Sequence, residues 1–227
     1  MIGIIFAMRE ELDEFIKLVN SIEEVKIYDL TFYKCSLFNK DLVLVESGVG
    51  KVNAARATQI LIDRMNPKYI FNVGVAGSIS NNVDVMDIVV SDKLVQHDFD
   101  ITQFNHEKGY IPNVGIYMDA DKYLLDITKN VNIDTFVHIG TIASGDIFIT
   151  DKAMSNKINT KFNALCVEME GASIAQVCTL SNVPYLVIRS ISDSPNQNED
   201  NKITYEEFLE KSCKVVSNFL KEIISKI

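Results

Sequence analysis

The sequence predicts an α/β fold: a single domain, residues 1–227, in which a central mixed β-sheet is flanked by helices. Apolar runs of strand length alternate along the chain with segments of helical period. A length of 227 residues suits one large domain. Hydrophobic residues make up 47% of the chain and charged residues 23%, which is ample for a buried core. No internal repeat or linker interrupts the alternation, so we expect ligands at the carboxyl ends of the strands of one sheet.

The first half of the chain is predicted to contain five strands and two helices. Apolar side chains at helical spacing favour a first helix from about Arg9 to Asn20. A turn at Asn39-Lys40 between two runs of β-forming residues predicts a hairpin. The turn SGVG begins a second helix that runs to about Met65, because Pro67 ends it. The strands are expected at Ile2–Ala7, Thr31–Phe38, Asp41–Glu46, Tyr69–Val75 and Asp87–Leu94.

The second half begins with residues 97–118, which show no clear period and carry Gly109, Pro112 and Gly115. A loop of this length is unusual in a compact domain and is often functional or part of an interface. Regular alternation resumes after it. Helices are expected at Asp121–Val131, Asp151–Ile158, Glu170–Leu180 and Tyr205–Ile224, and strands at Thr135–Ala143, Ala164–Val167 and Pro184–Ile191.

Charge and composition exclude several classes of function. The formal net charge of -9 argues against binding to nucleic acids or anionic membranes, because both need clustered Lys and Arg. No apolar run approaches the ~18 residues of a membrane span. The start MIGIIFAMREEL has acids directly after its apolar run, so we expect a mature strand rather than a signal peptide. The sequence thus favours a protein of the cytoplasm with a small-molecule partner.

Cysteine and histidine positions give no metal site. The four cysteines lie far apart without a CxxC pair, as is usual for buried thiols in a reducing compartment. The three histidines, His97, His106 and His138, do not cluster either. We therefore expect neither a bound metal nor a triad built on Cys or Ser with His.

Polar or aromatic residues follow four separate predicted strands. Glu11 follows the first strand, Phe148 a second, Glu168 and Glu170 a third, and Arg189 and Asp193 end a fourth. Each has a simple structural alternative: acids at a helix start complement the helix dipole, Phe148 can belong to the core, and Arg189 can form a buried ion pair. Together they suit an uncharged ligand with a flat aromatic part and a polyol part. A nucleoside fits that description.

Six segments carry a family resemblance: GIIFAMREEL, SGVGKVNAA, NVGVAGSI, SGDIFI, VEMEGASIA and VIRSISD. In this order they resemble the nucleoside phosphorylase/nucleosidase superfamily, and within it the bacterial 5′-methylthioadenosine/S-adenosylhomocysteine nucleosidases. The resemblance implies a nucleoside phosphorylase-like fold, a homodimer and no cofactor. It also implies hydrolysis of the N-glycosidic bond with water as nucleophile, releasing adenine and a 5-thio-substituted ribose for methionine and purine salvage.

The resemblance also implies a role for individual residues. Glu11 matches the family's general acid/base, which activates water, and Asp193 the acid that protonates adenine, with Ser192 supporting it. Phe148 would stack on adenine, the Ile149 backbone would bind its edge, and Glu170 would bind the ribose hydroxyls above Met169. The remaining implied substrate contacts are Ala7, Met8, Val49, Val75, Gly77, Glu168, Arg189 and Phe208. Three residues of the long loop, Ile101, Phe104 and Pro112, match those that reach the partner subunit's pocket.

Two residues depart from the family pattern, and they keep alternatives open. Phe6 stands where the family usually has Gly, and Val75 where it usually has Ser. One alternative is a nucleosidase for another 5′-substituted nucleoside of the futalosine type. A second is a non-catalytic nucleoside-binding protein, against which the pair Glu11 and Asp193 argues. A third, a phosphorylase, is disfavoured because the acids after the first strand would repel phosphate.

Overall fold

The computed structural model describes residues 1–194 and 201–227, with side chains from residue 205 onward in the second range. Its strands are β1 (Ile2–Phe6), β2 (Asn20–Ile27), β3 (Leu30–Leu37), β4 (Lys40–Glu46), β5 (Tyr69–Ser78), β6 (Ile88–Gln96), β7 (Met118–Asp119), β8 (Val137–Ser144), β9 (Ala164–Glu168) and β10 (Tyr185–Asp193). Its helices are α1 (Arg9–Ile16), α2 (Lys51–Met65), α3 (Lys122–Thr128), α4 (Lys152–Phe162), α5 (Gly171–Leu180) and α6 (Asn201–Lys226). No described helix is both long and apolar enough to cross a membrane.

All these strands belong to one mixed sheet, so the predicted α/β architecture is confirmed. Its order is β10-β6-β8-β9-β5-β1-β4-β3-β2, and β7 pairs with β6. β5 also pairs with β10, so five strands (β5, β9, β8, β6 and β10) close into a ring from which the others extend. β1 lies parallel to β4 and β5, and β5 lies parallel to β10. The carboxyl ends of β1, β5 and β10 therefore meet on one side.

Helices cover both faces of the sheet. Leu12 and Phe15 of α1 and Phe219 of α6 pack on one face, whereas Leu61 of α2 and Ile174 of α5 pack on the other. Every residue of β10 is buried, as expected for a parallel strand with both faces covered. The polar residues inside β10 must therefore find partners within the protein.

The chain between residues 16 and 30 differs from the sequence prediction. Helix α1 ends at Ile16, and an additional strand, β2, pairs antiparallel with β3. The helical period continues through Val19 because that side chain still packs on the core. β2 was missed because it is an edge strand with mostly exposed residues, so it has no alternating apolar pattern. The two-residue strand β7 was missed as well.

The loop of residues 97–118 contains only a short 3₁₀ turn, Thr102–Phe104, and an isolated bridge between Ile111 and Gly115 before it reaches β7 at Met118. This agrees with the lack of period in the sequence. Phe104 on this loop is 75% exposed.

Phe6 lies in the core. Its side chain is fully buried, and its ring centroid lies 5.7 Å from that of Phe15 on α1. The bulk that it brings to the end of β1 is therefore taken up between the sheet and α1.

We expect Phe6→Ala to lower the free energy of unfolding by about 3–5 kcal/mol, because it removes a fully buried ring and leaves a cavity. Urea unfolding followed by circular dichroism measures this. The matched control is Phe136→Ala, since Phe136 is 74% exposed; its effect should stay within about 0.5 kcal/mol. Equal losses in the two variants would contradict the packing described here.

Candidate active site

A cavity lies where the carboxyl ends of β1, β5, β9 and β10 meet the loop after β8. Its walls are mainly apolar, and carboxyl groups enter from several of the strand ends. The described residues that line it are Ala7, Met8, Glu11, Val49, Val75, Ala76, Gly77, Ile147, Phe148, Ile149, Val167, Glu168, Met169, Glu170, Ser192, Asp193 and Tyr205. No Lys or Arg is among them.

The Glu11 carboxylate joins the ends of β1 and β5. Its Oε2 accepts hydrogen bonds from the backbone N–H groups of Ala7 and Met8, at 2.9 and 3.1 Å, and its Oε1 accepts one from Val75 at 3.0 Å. Gly74 makes room for it, because a Cβ there would lie 2.3 Å from Oε1. Burial raises the pKa of Glu11, against the effects of the Arg189 charge and the three N–H donors. The group is thus a fixed carboxylate and a stronger base than a free Glu.

Glu168 and Arg189 form a buried ion pair behind the cavity. Glu168 Oε2 binds the Arg189 guanidinium and accepts hydrogen bonds from the backbone N–H groups of Glu170 and Gly171, at 3.1 and 2.7 Å. Its other oxygen accepts from the hydroxyl of Ser144. Arg189 is 1% exposed, and it also donates to the side-chain and backbone oxygens of Asn72. The pair is held by these contacts, and within the described residues only the buried Nε of Arg189 lacks a hydrogen-bond partner, so its role is to hold its neighbours.

Glu170 keeps one oxygen available to the cavity. Its Oε1 accepts a hydrogen bond from the Gly50 N–H at 2.9 Å, and its Oε2 lies 4.0 Å from Arg189 Nη2. Burial and the neighbouring Glu168 charge raise the pKa of Glu170 to about 7. A carboxyl group with a raised pKa and a free oxygen is suited to binding hydroxyl groups of a ligand.

Asp193 is held differently. It ends β10, is almost fully buried, and its Oδ1 lies 2.8 Å from the hydroxyl of Ser192. A Cβ at Gly77 would lie 3.0 Å from its Oδ2, so the glycine leaves space for it. Burial raises the pKa of Asp193 to about 6, although the Ser192 hydrogen bond opposes this. With few donors around it, Asp193 holds a proton more readily than an exposed Asp does.

Aromatic and aliphatic side chains form the remaining wall. Phe148 is half-exposed at the cavity, and its ring meets the edge of Tyr205 at a centroid distance of 5.7 Å. The Tyr205 hydroxyl donates to Met8 Sδ at 3.3 Å. Flat and apolar surfaces of this kind suit a planar heterocycle.

The structure brings together almost all the residues proposed from the sequence. Every predicted catalytic and substrate-binding residue lines the cavity except Arg189, which lies behind it, and Phe208. Phe208 instead lies beneath the Lys211 ammonium, 4.8 Å from the ring centroid. The predicted partner-subunit residues Ile101, Phe104 and Pro112 lie outside the cavity of this chain.

Sequence reasoning missed Tyr205 and three apolar lining residues, Ala76, Ile147 and Val167. Tyr205 lies one helical turn before Phe208 on α6, so either ring could be the predicted substrate contact from this helix. Tyr205 could have been preferred because it is in the first turns of α6 and is closer in sequence to the end of β10. An aromatic residue there reaches back toward the strand ends.

Comparison with known proteins finds relatives over the whole length of the chain. The sequence model of the Phosphorylase superfamily matches residues 1–225. A 5′-methylthioadenosine/S-adenosylhomocysteine nucleosidase of Maridesulfovibrio salexigens is 40% identical over 98% of this chain and 99% of its own. The D198N mutant of the Helicobacter pylori nucleosidase, with 5′-methylthioadenosine in its active site, superposes with a TM-score of 0.94 at 35% identity, covering 100% of this chain and 98% of its own. A futalosine hydrolase mutant of H. pylori superposes at 0.95 with 34% identity, covering 100% and 99%.

The raised pKa of Asp193 predicts a pH-dependent stability. The carboxyl group has a pKa of 3.8 in the unfolded chain and of about 6 in the folded protein. Between these pH values the folded state binds a proton that the unfolded state has lost. The contribution of Asp193 to the free energy of unfolding therefore falls by about 3 kcal/mol as the pH rises through this window, and it is constant above it. Urea unfolding of wild type and Asp193→Asn from pH 4 to 8 measures it: the wild type should lose stability relative to the variant up to about pH 6.

The control for this titration is Asp134→Asn, which neutralises an exposed carboxylate. The fall in stability assigned to Asp193 should remain in this variant. A flat difference for Asp193→Asn would show that the Asp193 pKa is not raised.

Proposed function

The chain belongs to the phosphorylase superfamily, and we propose that it hydrolyses the N-glycosidic bond of 5′-methylthioadenosine and S-adenosylhomocysteine. Adenine and the 5-thio-substituted ribose are the products, and water is the nucleophile. The observation that carries this proposal is the contrast between two carboxyl groups at one cavity. Burial raises the pKa of both, but Glu11 accepts three backbone N–H hydrogen bonds that favour its ionised form, whereas Asp193 accepts one from the Ser192 hydroxyl. Groups with such different surroundings can act as base and acid in one reaction.

Asp193 has the role of the acid. Adenine is a poor leaving group as an anion, so cleavage is easier when a proton reaches its ring nitrogen N7 as the bond breaks. Burial keeps that proton on Asp193 close to neutral pH. The Ser192 hydroxyl at 2.8 Å fixes the orientation of the carboxyl group. Positioned proton transfer of this kind contributes typically ~10²–10⁴-fold to the rate.

Glu11 has the role of the base. Its three backbone donors hold it at the edge of the cavity, and its burial raises its pKa, which makes it a better acceptor for a proton of water. Val75 has no hydroxyl to help bind that water, but its backbone N–H orients the carboxylate. The Val75 position thus still serves the reaction through its main chain.

Glu170 and Phe148 bind the two parts of the nucleoside. The free oxygen of Glu170 accepts hydrogen bonds from the ribose hydroxyls, and these strengthen as the sugar gains positive charge. Phe148 stacks on the base, and Tyr205 supports its ring by an edge contact. Arg189 neutralises Glu168, so the sugar does not face two full negative charges from neighbouring acids.

The absence of cations from the described lining favours hydrolysis over phosphorolysis. A phosphate ion needs Arg or Lys or an array of N–H donors, and the described lining offers acids instead. Hydrolysis of a futalosine-type nucleoside is the second candidate function. It is favoured by the similarity to the H. pylori futalosine hydrolase at 34% identity.

A homodimer is part of the proposal. Val52 and Phe104 are 78% and 75% exposed. The salt bridge between Lys51 and Asp98, at 2.6 Å, holds the start of α2 beside the loop that carries Phe104. Exposed apolar side chains on adjoining segments indicate a contact surface. A second copy would cover them and bring Ile101, Phe104 and Pro112 to its partner's cavity.

We also propose that the enzyme works in the cytoplasm, where it removes by-products of S-adenosylmethionine use and returns them to methionine salvage. Cys35, Cys166, Cys178 and Cys213 are all free and buried, as is usual in a reducing compartment.

The first test is adenine release from 5′-methylthioadenosine, followed by ultraviolet absorbance with and without phosphate. Equal rates in both buffers are expected, because water is the nucleophile. Glu11→Gln should lower kcat by about 10²–10⁴-fold while nucleoside binding persists, because Gln cannot accept the proton from water.

Three outcomes would contradict the proposal. Release only with phosphate would make the protein a phosphorylase. Binding without release would make it a nucleoside-binding protein. Release from a futalosine-type substrate but not from methylthioadenosine would establish the second candidate function.

The dimer has its own test. Phe104→Glu should yield a monomer in analytical ultracentrifugation and raise KM several-fold, because a charge cannot be buried at an apolar contact and the partner's residues are lost from the cavity. The matched control is Phe136→Glu, an equally exposed ring on a different segment, which should change neither. A monomeric wild type, or a dimer unaffected by Phe104→Glu, would refute this interface.

A further inference from the structure

A second, polar cavity of about 320 Å³ adjoins the candidate active site. It lies between the loop after β1, the β2–β3 turn and the end of β4. Its lining residues are Arg9, Asp29, Leu30, Thr31, Tyr33, Glu46, Ser47 and Gly48. None of them belongs to the catalytic or nucleoside-binding set described above. We propose that this cavity binds a carboxylate at the far end of a long 5′ substituent, with Arg9 as its partner.

The two cavities share a border. Met8 lines the first and Arg9 the second, and likewise Val49 lines the first and Gly48 the second. Neighbouring Cα atoms lie about 3.8 Å apart, so the two cavities border each other at both loops. A flexible chain that leaves the nucleoside near Met8 and Val49 would cross this border to reach Arg9.

Arg9 is held in place for such a contact. Its Nη1 donates to the hydroxyl of Tyr33 at 2.9 Å, and its Nε lies 2.8 Å from Asp13 Oδ1. Tyr33 is itself buried on β3. Nη2 makes no hydrogen bond to any residue that the structure describes, so one edge of the guanidinium is open to a ligand. A guanidinium with a fixed plane and free donors is well suited to a carboxylate.

The charges on the opposite wall refine the ligand class. Asp29 is paired with Arg56, whereas Glu46 has no hydrogen-bond or ion-pair partner within the described chain. An unpaired acid beside Arg9 favours a ligand that carries an ammonium group as well as a carboxylate. The α-amino-acid end of S-adenosylhomocysteine has both. An aromatic carboxylate, as in a futalosine-type substrate, has only the negative group.

This inference rests on the proposed function, because it assigns a place for the 5′ substituent of that substrate. It also gives the two proposed substrates different contacts. The methylthio group of 5′-methylthioadenosine is too short to leave the first cavity. The longer substituent of S-adenosylhomocysteine reaches the second cavity and gains the contact with Arg9.

The test compares three substrates that differ only in the 5′ substituent: methylthioadenosine, S-adenosylhomocysteine and its decarboxylated analogue, which keeps the amine. We expect Arg9→Gln to raise KM for S-adenosylhomocysteine about tenfold, since a charge-assisted hydrogen bond to the carboxylate is lost. KM for the other two substrates, and kcat for all three, should stay unchanged. The matched control is Lys17→Gln, which removes a positive charge at the other end of α1.

Glu46→Gln distinguishes the two sources of the carboxylate. A rise in KM for S-adenosylhomocysteine assigns the cavity to an amino-acid end, whereas a fall in KM for a futalosine-type substrate assigns it to an aromatic carboxylate. Either result supports a carboxylate site.

Equal effects of Arg9→Gln on all substrates, or no effect on any, would overturn the proposal. Failure of the proposed function would look different, because the wild type would then release no adenine from methylthioadenosine without phosphate.

Calorimetry would still test the carboxylate site in that case. It would compare the affinities for S-adenosylhomocysteine and methylthioadenosine in Glu11→Gln and in the double variant that also carries Arg9→Gln.

Discussion

A single buried cation, Arg189, sets the charge balance on which the site depends. Glu168 binds it directly, and Glu170 Oε2 lies 4.0 Å from its Nη2. The positive charge of Arg189 also acts on Glu11. Burying several carboxylates in one region is costly unless a counter-charge lies among them. Arg189 can serve all three because β10 runs through the middle of the sheet beside β5, where Asn72 holds the guanidinium. The helices and loops around the cavity are arranged about that fixed charge.

Differences in hydrogen bonding then separate acids that look equivalent in the sequence. Glu168 has both oxygens engaged and supports its neighbours, while Glu11 receives three N–H donors and remains a fixed base. Asp193 has the Ser192 hydroxyl as its closest donor and holds its proton to a pKa of about 6. One sheet edge thus carries a structural acid, a base and a proton donor. Their roles follow from which backbone N–H groups happen to face them.

The sequence predicted much of this because parallel strands place their carboxyl ends together. Alternation of strands and helices indicated the fold, and polar residues after strands indicated Glu11, Glu170 and Asp193. It could not give β2, whose exposed residues carry no period, or the closure of β10 on β5, which is a pairing between distant segments. It also chose Phe208 over Tyr205, since the orientation of α6 depends on packing. The polar cavity at Arg9 could not be predicted either, because its walls come from three separate segments of the chain.

The position of the Glu11 carboxylate also limits how such a protein can change over generations. Its oxygens tie the exit of β1 to β5 and fill the space above Gly74, so the same group that serves the reaction also joins two parts of the framework. A substitution here that leaves no acceptor oxygen therefore removes the link between β1 and β5 together with the reaction. A duplicated gene that drifted at Glu11 could become a nucleoside carrier most directly through Gln, which keeps an acceptor oxygen for the backbone N–H groups.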